Sequence, residues 1–84
     1  MNTQLLNITL LYVEDDEDTR VALSEVFKKK VKKLYVAKDG VEALELFKQH
    51  NIHIVISDLM MPEMDGNELC SEIKKLNHLV HLFF

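Results

Sequence analysis

Cysteine, proline, glycine and tryptophan are all scarce in this 84-residue sequence: one, one, two and none. A single thiol, Cys70, excludes an internal disulfide and a cysteine metal cluster. In helical register with Leu69 and Ile73 it reads as a small core residue, and a reducing, cytoplasmic setting fits. With Gly and Pro confined to candidate turns no linker is visible, so residues 1–84 read as one domain, of a size at which burial is modest and stability marginal. No apolar run nears the roughly 20 residues that cross a bilayer, and residues 1–7 lack a basic region leading into an apolar stretch, so neither membrane anchor nor export signal is expected. The net charge is −4, and an acidic balance argues against a nucleic-acid partner, which needs a basic face to neutralise phosphates. The one basic stretch, Lys28–Lys30 with Lys32 and Lys33, reads as a solvated helix end.

What the chain does have is a strand-then-helix alternation, repeated three times, the pattern of a parallel sheet covered by helices. Ile8–Val13 is continuously apolar, as a strand covered on both faces should be. A helix is expected from about Glu17 to Lys30, with Val21, Ala22, Val26 and Phe27 recurring at helical spacing and Asp16 or Asp18 as its cap. The second unit is Leu34–Ala37 followed by Asp39-Gly40-Val41-Glu42, an aspartate cap with a glutamate three positions on. Ala43, Leu44 and Phe47 then share one helix face. The third unit is Ile52–Ser57, a loop at Asp58, and Asp65-Gly66-Asn67-Glu68, which repeats the capping signature before Leu69, Ile73 and Leu76. Residues 77–84 look like a connector entering a fourth apolar strand.

Two of these strands run into acid. Ile8–Val13 delivers Glu14-Asp15-Asp16, and Ile54–Ser57 delivers Asp58, so both would present carboxylates on one rim of the sheet. Carboxylates gathered at strand C-termini suggest a hard-cation and phosphoryl site. A close carboxylate pair costs about 4 kcal/mol at an effective dielectric of about 20, and a cation removes that cost. The plainer reading, that each acid caps a turn or helix, accounts poorly for both clusters together.

Tyr12-Val13-Glu14-Asp15-Asp16, Ile56-Ser57-Asp58-Leu59-Met60-Met61-Pro62-Glu63-Met64-Asp65-Gly66 and Lys38-Asp39-Gly40-Val41-Glu42-Ala43-Leu44 together resemble the receiver domain of two-component response regulators, over essentially the whole chain to about Leu76. The resemblance implies an α/β, flavodoxin-like fold with three βα units on a parallel sheet in the order 2-1-3, plus a stub of strand four. It implies that Asp58 is the phosphoacceptor, taking a phosphoryl group from a phosphohistidine on a sensor histidine kinase. It implies Mg²⁺ held by the carboxylates of Asp15 and Asp58 and the backbone carbonyl of Met60, with Glu14 acting partly through water. The role is that of an acceptor, not an enzyme.

The sequence departs from that family in length. Complete members have five units, with a Thr or Ser after strand four and a Lys after strand five, and neither has a counterpart here, so a truncated receiver with impaired phosphorylation is expected. An open sheet edge beside strand three would invite self-association, by edge pairing or by exchange of the terminal segment. The alternatives are a receiver-like interaction module that accepts no phosphate, or a fragment of a longer response regulator. A phosphatase with Asp58 as nucleophile fits less well, because that pattern wants a second aspartate where Met60 stands. His50, His53, His78 and His81 lack the tight constellation that zinc requires, and Met60, Met61 and Met64 read as packing and loop residues.

Overall fold

The computed structural model describes residues 5–57 and 81–83. It contains β1 (Leu6–Val13), α1 (Glu17–Phe27), β2 (Val31–Ala37), α2 (Gly40–Gln49), β3 (Ile54–Ser57) and β4 (His81–Phe83). The strands form one sheet in the order β2-β1-β3-β4, and every neighbouring pair is parallel. The expected order 2-1-3 is therefore observed, and the stub of a fourth strand pairs with β3 as Ile54↔His81, Val55↔Leu82 and Ile56↔Phe83. The third helix expected after residue 65, with Cys70 on it, lies outside the described residues.

The core forms where α2 meets the sheet. Leu11, Val13, Ala37, Ala43, Phe47, Ile52 and Val55 make one buried cluster, with Tyr35, Leu44 and Leu46 packed against it. Burying one large apolar side chain of this kind is worth about 1.5–3 kcal/mol. On β1, Leu10 and Tyr12 are buried as well, which is why that strand is apolar at every position from Leu10 to Val13. The Tyr12 ring meets Phe27 of α1 edge-on, with centroids 5.0 Å apart and planes at 71°.

Both described helices start as their sequences dictate. Asp39 is the N-cap of α2, its Oδ1 accepting from the Glu42 N–H at 2.8 Å, while Glu42 Oε1 accepts from the Lys38 N–H at 2.9 Å. Asp16 is the N-cap of α1, accepting from the Thr19 N–H at 2.9 Å and from Thr19 Oγ1 at 2.6 Å.

Several expectations need correction. The stripe Val21, Ala22, Val26, Phe27 is not the inner face of α1: Val21 is 59% and Val26 46% exposed. Arg20, Ser24 and Phe27 form the half-buried side instead, because Arg20 is drawn to backbone oxygens at the end of β1. The lysines do not all lie at a helix end. Only Lys28 caps α1, whose last turn holds no basic residue, while Lys32 and Lys33 are exposed on β2, the edge strand beside β1. Charged residues on an edge discourage pairing with other chains. Finally, β3 begins at Ile54 rather than Ile52. Just before it, the His53 N–H donates to the Thr9 carbonyl at 3.0 Å and the Thr9 N–H donates to His53 Nδ1 at 2.9 Å, so a side chain takes the place of a ladder carbonyl.

Candidate acidic site at the strand ends

The register of the sheet determines what the rim can hold. Val13 of β1 lies beside Ser57 of β3 and beside Ala37 of β2, with neighbouring strands about 4.8 Å apart. Glu14 therefore follows β1 at the same C-terminal edge at which β3 ends with Ser57. Asp58 and Met60 themselves lie outside the described residues, so the structure places the chain leading to them and Glu14 and Asp15 directly.

The β1–α1 connection is tied down atom by atom. The Glu14 N–H donates to the Ala37 carbonyl at 3.0 Å, extending the contact of β1 with β2 by one residue. Glu14 Oε2 accepts from the Asp16 N–H at 3.1 Å. Arg20, reaching back from α1, donates from Nη1 to the Glu14 carbonyl at 3.0 Å and to the Asp15 carbonyl at 3.4 Å. The Thr19 hydroxyl and then the Thr19 N–H hold the Asp16 carboxyl below its ordinary value, opposed by desolvation, with Arg20's charge the smallest lowering influence. Glu14 is half-buried and Asp15 is exposed. Three acidic side chains thus divide the work: Asp16 caps α1, Glu14 braces the turn, and Asp15 projects from it. The Arg20 and Thr19 contacts were not foreseen, although Asp16, Thr19 and Arg20 stand three and four residues apart, the spacing of neighbours on a helix.

The donor set suits a hard divalent cation. Among the described residues it consists of the carboxylate oxygens of Glu14 and Asp15 after the end of β1, hard ligands of the kind such an ion takes. Among the described residues alone no group of three or more His, Cys, Asp or Glu converges on a metal position; a third ligand would have to come from residue 58 onward. The histidine pair does not supply one. His50 stacks on Tyr35 with centroids 4.1 Å apart and planes at 19°, and His53 Nδ1 is occupied by the Thr9 N–H. An open hollow of about 330 Å³ lined by Thr9, Lys33, Tyr35, Gln49, His50 and Asn51 sits toward the other end of the strands, away from the carboxylates.

The order β2-β1-β3-β4 with every neighbouring pair parallel defines an open parallel α/β fold, in which ligands bind outside the carboxyl ends of the strands. Residues 10–84 match the response regulator receiver domain, and the chain belongs to that family. It is 39% identical over 72 residues to the response regulator mcs4 of Schizosaccharomyces pombe, covering 86% of this chain and 14% of that protein. Its fold superposes with a TM-score of 0.84 on the N-terminal domain of an uncharacterized protein from Wolinella succinogenes, at 32% identity and covering 89% of this chain and 60% of that one. It also superposes with a TM-score of 0.80 on a CheX-CheY-BeF3-Mg²⁺ complex from Borrelia burgdorferi, at 32% identity and covering 89% and 58%. The chain thus spans less than two thirds of the length of these relatives.

Among the described residues, no helix is long and apolar enough to cross a membrane.

Proposed function

We propose that this receiver domain, a single unit over residues 1–84, accepts a phosphoryl group on Asp58 from the phosphohistidine of a sensor histidine kinase in the cytoplasm. The observation that supports this most is the parallel β1–β3 register, Val13↔Ser57: the strands that precede Glu14-Asp15 and Asp58 in sequence end side by side. The carboxylates of Asp15 and Asp58 and the Met60 carbonyl would hold Mg²⁺, with Glu14 assisting through water. When bound, that ion neutralises charge on the phosphoryl oxygens, the main service this reaction needs. An Asp58 oxygen forms the new bond to phosphorus while the phosphorus–nitrogen bond to the donor imidazole breaks, leaving an aspartyl phosphate and a neutral histidine once the ring is protonated. The chain acts as acceptor and signal carrier, with no nucleic-acid or membrane partner of its own.

Self-association belongs to the same reading. Among the described residues β4 pairs on one side only, with β3, and on this reading a second copy would add to its other side, directly or through an exchanged C-terminal segment. The test measures molar mass in solution alongside labelling by a small phosphodonor, for the wild type and Asp58→Asn. Labelling of the wild type alone, in a species heavier than a monomer, is expected. Equal labelling of both proteins would remove Asp58 from its role, and a monomer at all concentrations would remove the edge pairing.

A further inference from the structure

Arg20 is a cation placed against the acidic loop where a second cation is proposed to bind. By charge alone that is unfavourable for a metal site. Yet its guanidinium also serves the backbone: Nη1 donates to the carbonyls of Glu14 and Asp15. Those carbonyls lie between the end of β1 and the first turn of α1. The 3.0 Å contact to Glu14 is a good hydrogen bond, and the 3.4 Å contact to Asp15 is a longer second one. A second feature points the same way. α1 turns Arg20 and Ser24 toward the sheet and leaves Val21 and Val26 largely in solvent, a rotation that hydrophobic burial opposes and that brings residue 20 to the loop.

We propose that Arg20 is a positioning residue for the divalent cation, fixing the Glu14–Asp15 backbone from which the Asp15 side chain is presented. The inference rests on the Mg²⁺ reading above. A turn held at both carbonyls offers its carboxylate in one arrangement instead of several, so less ordering is left to be done when the ion arrives. The fork-shaped guanidinium can reach two oxygens from one side chain, which the single ammonium of lysine does less well.

The two physical effects of Arg20 have opposite signs, and this makes the proposal testable. If its charge dominates, removing it tightens Mg²⁺ binding; if its hydrogen bonds dominate, removing it weakens binding. The experiment titrates the full chain with MgCl₂ and follows the amide shifts of Asp15 and Asp16 in the wild type, Asp15→Asn, Arg20→Gln and Arg20→Lys, with Tm recorded for each. The wild type is expected to saturate and Asp15→Asn not to. Arg20→Gln should bind about tenfold more weakly, the low end of what loss of an outer-shell support costs, and Arg20→Lys should recover part of that loss. Before any metal is added, amide exchange at Asp15 and Asp16 should already be faster in Arg20→Gln. Folded Arg20 variants binding as tightly as the wild type, or more tightly, overturn the proposal even if their Tm falls, because Arg20 would then only fasten α1 to the sheet. Unfolding of both variants overturns it for the same reason. A wild type that does not titrate removes the Mg²⁺ reading itself and this inference with it, an outcome distinct from the others.

Discussion

Single side chains decide how α1 begins. Asp16 is a fully outward-facing cap whose carboxyl is lowered first by the Thr19 hydroxyl, then by the Thr19 N–H. A carboxyl held below its unfolded value, here the ordinary aspartate 3.8, adds stability that is present in full above about pH 5 and is lost as pH falls through the lowered native value. Thr19→Val keeps the N–H bond and deletes the hydroxyl, so it should raise the Asp16 pKa and lower Tm at neutral pH. The Tm difference from wild type should close on acidification, as followed by circular dichroism from about pH 7 to about pH 2. A difference constant across that range would mean that the hydroxyl acts through packing. The same scale explains why the inner face of α1 was misread. A count of apolar residues picks out Val21 and Val26, but the helix is turned by one guanidinium seeking two carbonyls, and no hydropathy pattern encodes that.

At the level of elements, capping and continuous apolar runs were legible, and the strand starts were not. The three units and their order follow from runs that end in an acid or a cap, and the capping glutamate of α2 needed only a one-residue shift, since Glu42 bonds Lys38 rather than the cap itself. β2 starts at Val31, three residues before Leu34, because Lys32 and Lys33 are tolerated on an edge strand and so conceal it. β1 starts at Leu6 because its N–H donates to the Lys30 carbonyl at 2.8 Å, a contact between distant residues. Of the candidate site, Glu14 and Asp15 emerge at the strand end as expected, while Asp58 and Met60 lie outside the described residues. The cap of α2 carries an element-level prediction. Asp39→Ala leaves the Glu42 N–H without its partner at the helix end that closes over the core, and should cost about 1 kcal/mol, read as a shift of the urea midpoint with an unchanged slope. A change in slope would show instead that α2 detaches separately from the sheet.

Among the described residues around α1, charge is polarised along the strands. Five consecutive acids, Glu14 to Asp18, occupy the carboxyl edge of the sheet, and Lys28–Lys30, Lys32 and Lys33 gather where α1 ends and β2 begins, toward the opposite edge. Like charges crowded at one end repel, and on the Mg²⁺ reading proposed above a cation bound there would offset that repulsion. Function and stability then make opposite demands on Asp15. In metal-free buffer Asp15→Asn removes one repelling charge without touching the Glu14, Asp16 and Arg20 backbone bonds, and its Tm should lie above that of the wild type. With Mg²⁺ the order should reverse: an ion bound only by the folded state adds about 2.7 kcal/mol at one hundred times its dissociation constant, and only the wild type has the ligand to gain it. The two melting curves should therefore exchange places as MgCl₂ is raised, and added salt should shrink the metal-free difference by screening an exposed charge. If Asp15→Asn melts below the wild type without metal, Asp15 is a structural residue and the acidic rim is not strained. If the order never reverses, the rim does not hold the ion through Asp15.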